Sequence, residues 1–313
     1  MKKQDRSKKI ETLVFGAGQI AGFIEEYFDN VLISSADITK VNEIEKDIRK
    51  YKPKAVFNTA AMTSLEWCEQ NKLKAFKINT LGAFNVWEVC QKYDTFMCHF
   101  SSGCIFSSET VDQVYYENSF PNPKSYYSWT KVWSENLLGK SPNLLILRPR
   151  VVISSKVERR NTLSKWMVYS HFISDQNSVT IVEDMLPVMK SLISRRISGT
   201  FHIANKGTIS PLEIARILKE KVNPKMKINE TTLEEVNKNL ISKRVSTVLS
   251  TEKLATIGFE LPNVDTSIVK IIEKFKENLD KMGGLKALND IRQEAKEKFT
   301  IIQSKATTFT PVN

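Results

Sequence analysis

Glu11-Thr12-Leu13-Val14-Phe15-Gly16-Ala17-Gly18-Gln19-Ile20-Ala21 is the stretch that decides the fold. Its apolar run predicts a strand, its two glycines a tight turn, and the residues after them a helix ending near Phe28. The spacing G-x-G-x-x-A has a physical purpose. Two glycines let the backbone approach a pyrophosphate, and a small third residue lets helix and strand pack closely. The amino end of the helix then offers N–H donors and the positive end of its dipole to the phosphates. Placed directly after a strand and opening a helix, the motif makes Gly16, Gly18, Gln19 and Ile20 candidate dinucleotide contacts.

Outward from that turn, strands and helices alternate. Val31-Leu32-Ile33 is a second short strand ending in Ser34-Ser35. The carboxylate that usually grips the ribose of NAD is absent there. Ser34 tolerates a 2′-phosphate, which favours NADPH, with NADH possible. Asp37 and Ile38 are placed to lie along the adenine, with a helix starting at Thr39. Ala55 to Asn58 is the third strand; the small residues after it, including Ala60 and Ala61 before Met62, would let a cofactor lie flat. A long helical region to Tyr93 is interrupted near Asn71 and Gly82, and Asn79 within it is either structural or the holder of a relay water. Phe96–Phe100 and Leu144–Leu147 are expected to complete the sheet.

The alternation predicts an α/β fold, a Rossmann-type doubly wound parallel sheet with a smaller C-terminal α/β substrate-binding subdomain. The expected division is a basic tail (1–9), the nucleotide-binding domain (10–150), a mainly substrate-binding part (151–282) and a charged helical extension (283–313). In the third part Thr200 to Ile203 reads as a returning strand, with His202 a core histidine. Ser210-Pro211-Leu212-Glu213 reads as a capping box opening a helix to Lys221, and Val264 to Leu279 as an amphipathic helix.

Chemistry concentrates between Ser101 and Lys131. Ser102 leaves a buried strand, where open α/β sheets present ligands, and Cys104 comes two residues later. Tyr127 and Lys131 are spaced i and i+4, which puts them on one helix face. An ammonium beside the phenol would lower its pKa and make it an acid or base near neutrality. Taken alone, Cys104 would be a small buried hydrophobe.

The bulk properties bound the partners. The net charge of +11 invites a nucleic-acid reading, but residues 1–9 carry five basic side chains against one acid and Lys270 to Lys305 nine against six. Interleaved signs of that kind make a solvated helix face, so no nucleic-acid partner is expected. Four cysteines without C-x-x-C pairing and three histidines predict no metal and reduced thiols. No apolar run approaches the ~20 residues needed to cross a bilayer, and the basic start lacks an apolar signal core. The expected setting is cytoplasmic, without a membrane partner; a homodimer is a possible assembly.

In order and spacing these residues resemble the extended short-chain dehydrogenase/reductases, and within them the dTDP-4-dehydrorhamnose reductase branch, over roughly residues 10 to 280. The resemblance implies a triad in which Tyr127 protonates a substrate carbonyl as hydride arrives, Lys131 holds the nicotinamide ribose and Ser102 hydrogen-bonds the carbonyl. Ser102-Gly103-Cys104-Ile105-Phe106 is similar to the Thr-Gly-Cys-Ile-Phe of bifunctional nucleotide-rhamnose epimerase-reductases. Asn161-Thr162-Leu163-Ser164-Lys165 resembles that group's Asn-Phe-Ile-Thr-Lys. Cys104 and Lys165 would then exchange protons at C3 and C5 of a UDP- or dTDP-4-keto-6-deoxyhexose. Thr63, Gly103, Arg150 and Asn161 are the remaining substrate candidates. Two alternatives stay open, a reductase without epimerase activity and a non-catalytic NADP-binding regulatory subunit of the methionine adenosyltransferase β type.

Overall fold

Leu13 and Phe15 point to one side of strand β1 (Thr12–Phe15) and Val14 to the other, and all three are fully buried. A strand buried on both faces lies inside a sheet covered twice. The computed structural model, which describes residues 9–110, 113–238, 240–288 and 290, has that architecture. To β1 are added β2 (Val31–Ser34), β3 (Ala55–Asn58), β4 (Phe96–Phe100), β5 (Leu144–Arg148) and β6 (Gly199–His202). All pair in parallel, in the order β2-β1-β3-β4-β5-β6. Leu144–Leu147 therefore does not complete the sheet: the returning strand after Gly199 joins it as the edge.

Among the described residues the longer helices are α1 (Gln19–Tyr27), α2 (Val41–Tyr51), α3 (Ala83–Lys92), α4 (Tyr126–Leu138), α5 (Val182–Ser194), α6 (Pro211–Lys221) and α7 (Val264–Lys281). Alternation along the strands sorts them. Val14, Phe57, Cys98 and Leu145 pack under α1 and α5, whereas Leu13, Phe15, Val56 and Met97 pack under α2 and α3. Each such side chain contributes about 1.5–3 kcal/mol by leaving water. Because α1 and α2 cover opposite faces, the winding reverses at β1, and the crevice over the carboxyl ends of β1 and β3 is the switch point where such sheets bind ligands.

The helical region before Tyr93 breaks where expected. Asn71 separates two short helices, and Lys77–Gly82 forms a π-helical turn. Gly82 there leaves room for Ile38, whose Cδ1 would lie 2.6 Å from an added Cβ. Thr39 does not start α2; Lys40 is its N-cap.

A second core, which includes Ile153, Leu163, Phe172, Leu212, Ile268 and Phe275, sits between α6, α7 and short strands. The predicted capping box is complete: Ser210 Oγ accepts from Glu213 N at 3.1 Å, and Ser210 N donates to Glu213 Oε2 at 2.8 Å. Residues 151–282 thus serve both lobes, since α5 and β6 return to the sheet. All but Lys9 of the basic tail, and most of the 283–313 extension, lie outside the described residues. No described helix is long and apolar enough to cross a membrane.

Candidate active site

The crevice over β1 and β3 has the shape a dinucleotide needs. Gly16 has φ +101°, and a Cβ on it would lie 2.5 Å from the Ala60 backbone nitrogen, so only glycine allows this approach. Gly18 is the N-cap of α1 and offers no side chain to its first N–H groups. They remain available to phosphate. Beside them Gln19 Nε2 is buried without a hydrogen-bond partner. An uncapped helix end, a cradle that a Cβ would fill and an orphaned amide together fit a bound dinucleotide.

The two asparagines in this region shape backbone. Asn58 Oδ1 accepts from Ala60 N at 3.2 Å, and its Nδ2 faces His99 Nδ1 at 3.2 Å. Asn79 accepts from Met62 N at 2.7 Å and donates to Met62 O at 3.0 Å and Thr130 Oγ1 at 3.1 Å. With its amide bonded three ways, Asn79 ties the Ala60–Met62 loop to α4. Ser34 requires a correction. Its hydroxyl donates to Asp47 Oδ2 at 2.6 Å and accepts from Ala36 N, so it is spent inside the fold and does not greet a 2′-phosphate. Asp37 is exposed and forms a turn with Thr39, whose N–H and hydroxyl hold the carboxyl below its ordinary range. Ile20, Ala61 and Met62 are half-buried around the crevice, and Thr63 is exposed.

Ser102, Tyr127, Lys131 and Cys104 converge. Ser125 caps α4 by accepting from Ser128 N, which fixes the first turn carrying Tyr127. The backbone does not stay extended after Ser102. A 3₁₀ turn at Gly103–Ile105, with Ser102 Oγ accepting from Cys104 N at 3.1 Å, brings Cys104 against the hydrophobic cluster around Tyr127. Gly103 lets the turn pack closely: an added Cβ would lie 2.8 Å from Leu249 Cδ1 and 3.3 Å from Arg150 Cβ, so the leucine tip would have to move aside.

The expected electrostatics of the tyrosine are reversed. Burial pushes the Tyr127 phenol well above its ordinary pKa, Cys104 adds to that, and Ser102 and Arg150 oppose it. Lys131 does not lower it, because its ammonium turns to the sheet and donates to Phe100 O at 2.8 Å. Burial lowers the lysine itself to about 8, against the opposing charge of Glu135. The phenol therefore holds its proton firmly, and the nearby lysine is the group whose charge changes at about pH 8.

Cys104, Ser125, Arg150, Trp166 and Tyr169 help wall a cavity of about 280 Å³. Arg150 Nη1 donates to Cys104 Sγ at 3.2 Å and Nη2 to Asn177 Oδ1 at 2.9 Å and to Val245 O. Its Nε is buried without a partner. Larger cavities of about 680 and 980 Å³ lie at the amino ends of β1 and β3 and beside β6, away from Tyr127 and from every predicted residue.

Two substrate-side expectations fare differently. Asn161 is fully buried: Nδ2 donates to Ser154 O and Lys156 O, and Oδ1 accepts from Ser154 N and Leu163 N. It closes a loop and has nothing left for substrate. Lys165, on the short helix Thr162–Trp166, is exposed and not among the residues walling the cavity with Cys104. Sequence reading missed the roles of Asn177, Val245 and the buried pair Glu135–Arg148; Arg148 and Arg150 share the run Arg148-Pro149-Arg150, but only the fold brings Glu135, Asn177 and Val245 to them.

The family model described as the RmlD substrate binding domain matches residues 19–277. A trifunctional UDP-glucose 4,6-dehydratase/UDP-4-keto-6-deoxy-D-glucose 3,5-epimerase/UDP-4-keto-L-rhamnose-reductase of Arabidopsis thaliana is 31% identical over 236 residues, 72% of this chain and 36% of that protein. The chain thus spans little more than a third of that relative. A bifunctional dTDP-4-dehydrorhamnose 3,5-epimerase/dTDP-4-dehydrorhamnose reductase of the same plant is 28% identical over 281 residues, 85% of this chain and 93% of that one. The crystal structure of a UDP-rhamnose synthase from Acanthamoeba polyphaga mimivirus superposes with a TM-score of 0.77 at 27% identity, covering 84% and 98% of the two chains.

Proposed function

Because the chain belongs to the RmlD substrate-binding-domain family, we propose that it is an NADPH- or NADH-dependent 4-reductase of a UDP- or dTDP-4-keto-6-deoxyhexose that also epimerises its substrate at C3 and C5. The observation that carries the reading is the buried Tyr127, whose phenol keeps its proton, set against Ser102 and packed beside Cys104; of the three, Cys104 reaches the cavity wall. When bound, the nicotinamide supplies hydride to C4. Tyr127 gives its proton to the ketone oxygen as charge builds there, and Ser102 donates a hydrogen bond to the same oxygen. Water returns a proton to the tyrosine.

The same hydrogen bonds make epimerisation accessible, since a carbanion at C3 or C5 delocalises onto the C4 oxygen they hold. Cys104, on the cavity wall, is the proposed proton carrier for one face of the ring, and Lys165 for the other, which requires its side chain to swing in from the exposed face of its short helix. Incubation with the 4-keto-6-deoxy-D-glucose nucleotide in deuterated water, without cofactor, is expected to place deuterium at C3 and C5. Cys104→Ser and Lys165→Met should each suppress that exchange while sparing reduction of pre-epimerised substrate. No exchange in the wild type leaves a reductase only; full exchange in Lys165→Met removes that lysine from the proton transfers.

Lys131 makes cofactor binding pH-dependent. Its ammonium, with a folded-state value of about 8 against an ordinary 10.5, is present below pH 8 and lost above it. Affinity for NADPH is expected to weaken as pH rises through about 8. Stability moves the other way, because between those two values the unfolded chain binds the extra proton and folding gains with pH. Fluorescence titration of NADPH and urea unfolding at pH 7 and 9 check both. The binding limb should persist in Tyr127→Phe; its disappearance there would assign it to the phenol.

A further inference from the structure

A cation from the second lobe stands over the glycine turn. A Cβ built on Gly18 would lie 3.9 Å from Nη1 of Arg160, so that guanidinium sits directly above the amino end of α1. Arg159 and Lys165 stand close by. Lys165 is still exposed, yet partial loss of solvent and then the charges of Arg159 and Arg160 hold its ammonium below the ordinary lysine range. Among the described residues none of the three enters an ion pair. Like charges gathered at the positive end of a helix repel one another unless an anion joins them.

The loop that carries Arg160 is anchored. Lys156 Nζ bonds Glu26 Oε1 at 2.6 Å and lies 4.1 Å from the centre of the Phe23 ring, both on α1. Asn161 then closes the loop on itself through Ser154 O at 2.8 Å and Lys156 O at 2.5 Å. Residues 154–161 are thus fixed to the flank of α1 at one point and deliver Arg160 to its amino end. Beneath that end lie the uncapped N–H groups after Gly18 and the unpartnered Gln19 Nε2.

We propose that Arg160 is a pyrophosphate clamp, carried by the second lobe and pairing with the dinucleotide phosphates held at the amino end of α1. The proposal rests on the reading of the crevice as a nicotinamide-dinucleotide site. It assigns the buried Asn161 a positioning role, holding the loop that presents the arginine.

The test is a fluorescence titration of the purified full chain with NADH and with NADPH. Arg160→Ala is expected to raise both dissociation constants, and equally, by about tenfold or more, the usual worth of a charge-assisted hydrogen bond. It should also flatten their dependence on salt. Arg160→Lys should recover part of the loss, as a point charge without the fork. The exposed side chain can be removed without changing the Tm of the unliganded protein. Unchanged affinity overturns the proposal. A loss confined to NADPH also overturns it, by placing the arginine on the 2′-phosphate, as does unchanged cofactor affinity with a raised KM for the nucleotide sugar. If the wild-type chain binds neither nucleotide, the cofactor reading itself falls and takes the clamp with it.

Discussion

Tyr127→Phe is expected to lower kcat for reduction of the 4-keto nucleotide sugar by about a hundredfold or more, the usual worth of a positioned proton donor, while NADPH affinity is nearly unchanged. The tyrosine ring packs with Cys68 and Ala75, and a phenylalanine ring fills the same space. What is removed is the proton. Burial holds that proton on the oxygen far above neutral pH, which at first suggests a poor acid. The ketone oxygen, however, becomes strongly basic only as hydride reaches C4, and a donor that keeps its proton until then serves reduction better than one already ionised. The prediction is checked by single-turnover oxidation of NADPH together with a binding titration. Retained turnover would mean that proton transfer is carried elsewhere; lost binding and a lowered Tm would make the ring structural.

The parts of the fold that were legible are those in which one period dominates. Thr12 to Phe15 and Phe96 to Phe100 are buried on both faces because both faces are covered, and Gly16 is glycine because Ala60 lies against it. The capping box at Ser210 is a local device and was readable as such. What escaped depends on partners distant in sequence. Ser34 looks open until Asp47 arrives from α2. Asn161 looks like a ligand-facing amide until Ser154 and Lys156 close around it. Lys131 has the spacing to act on Tyr127, but the sheet offers Phe100 O, and a buried ammonium takes the acceptor within reach. Spacing places residues on a face; competition among acceptors decides where they turn.

Glu135→Ala is expected to cost about 3–5 kcal/mol of stability, the loss expected when one partner of a buried ion pair is removed. Glu135 and Arg148 are nearly inaccessible, at 10% and 7% side-chain exposure. Arg148 Nε lies 2.9 Å from Glu135 Oε1, Ser101 donates to the same carboxylate, and Arg148 Nη1 donates to Glu117 O at 3.0 Å. The neighbouring His202 offers no compensation. Burial and then Arg148 press its pKa down to about 3, so it stays neutral. Without Glu135 the guanidinium is left buried and unneutralised. A double change, Glu135→Leu with Arg148→Met, should recover most of the loss, because the desolvation cost of the arginine goes with it. Urea unfolding separates the cases: single variants costing under about 1 kcal/mol would mean that water already reaches the pair. The double variant should still differ from wild type in one respect. Glu135 is the charge that raises the pKa of Lys131, so its removal moves the alkaline limb of NADPH binding to lower pH even where stability is restored. That residual shift would place the pair in service of the lysine as well as the core.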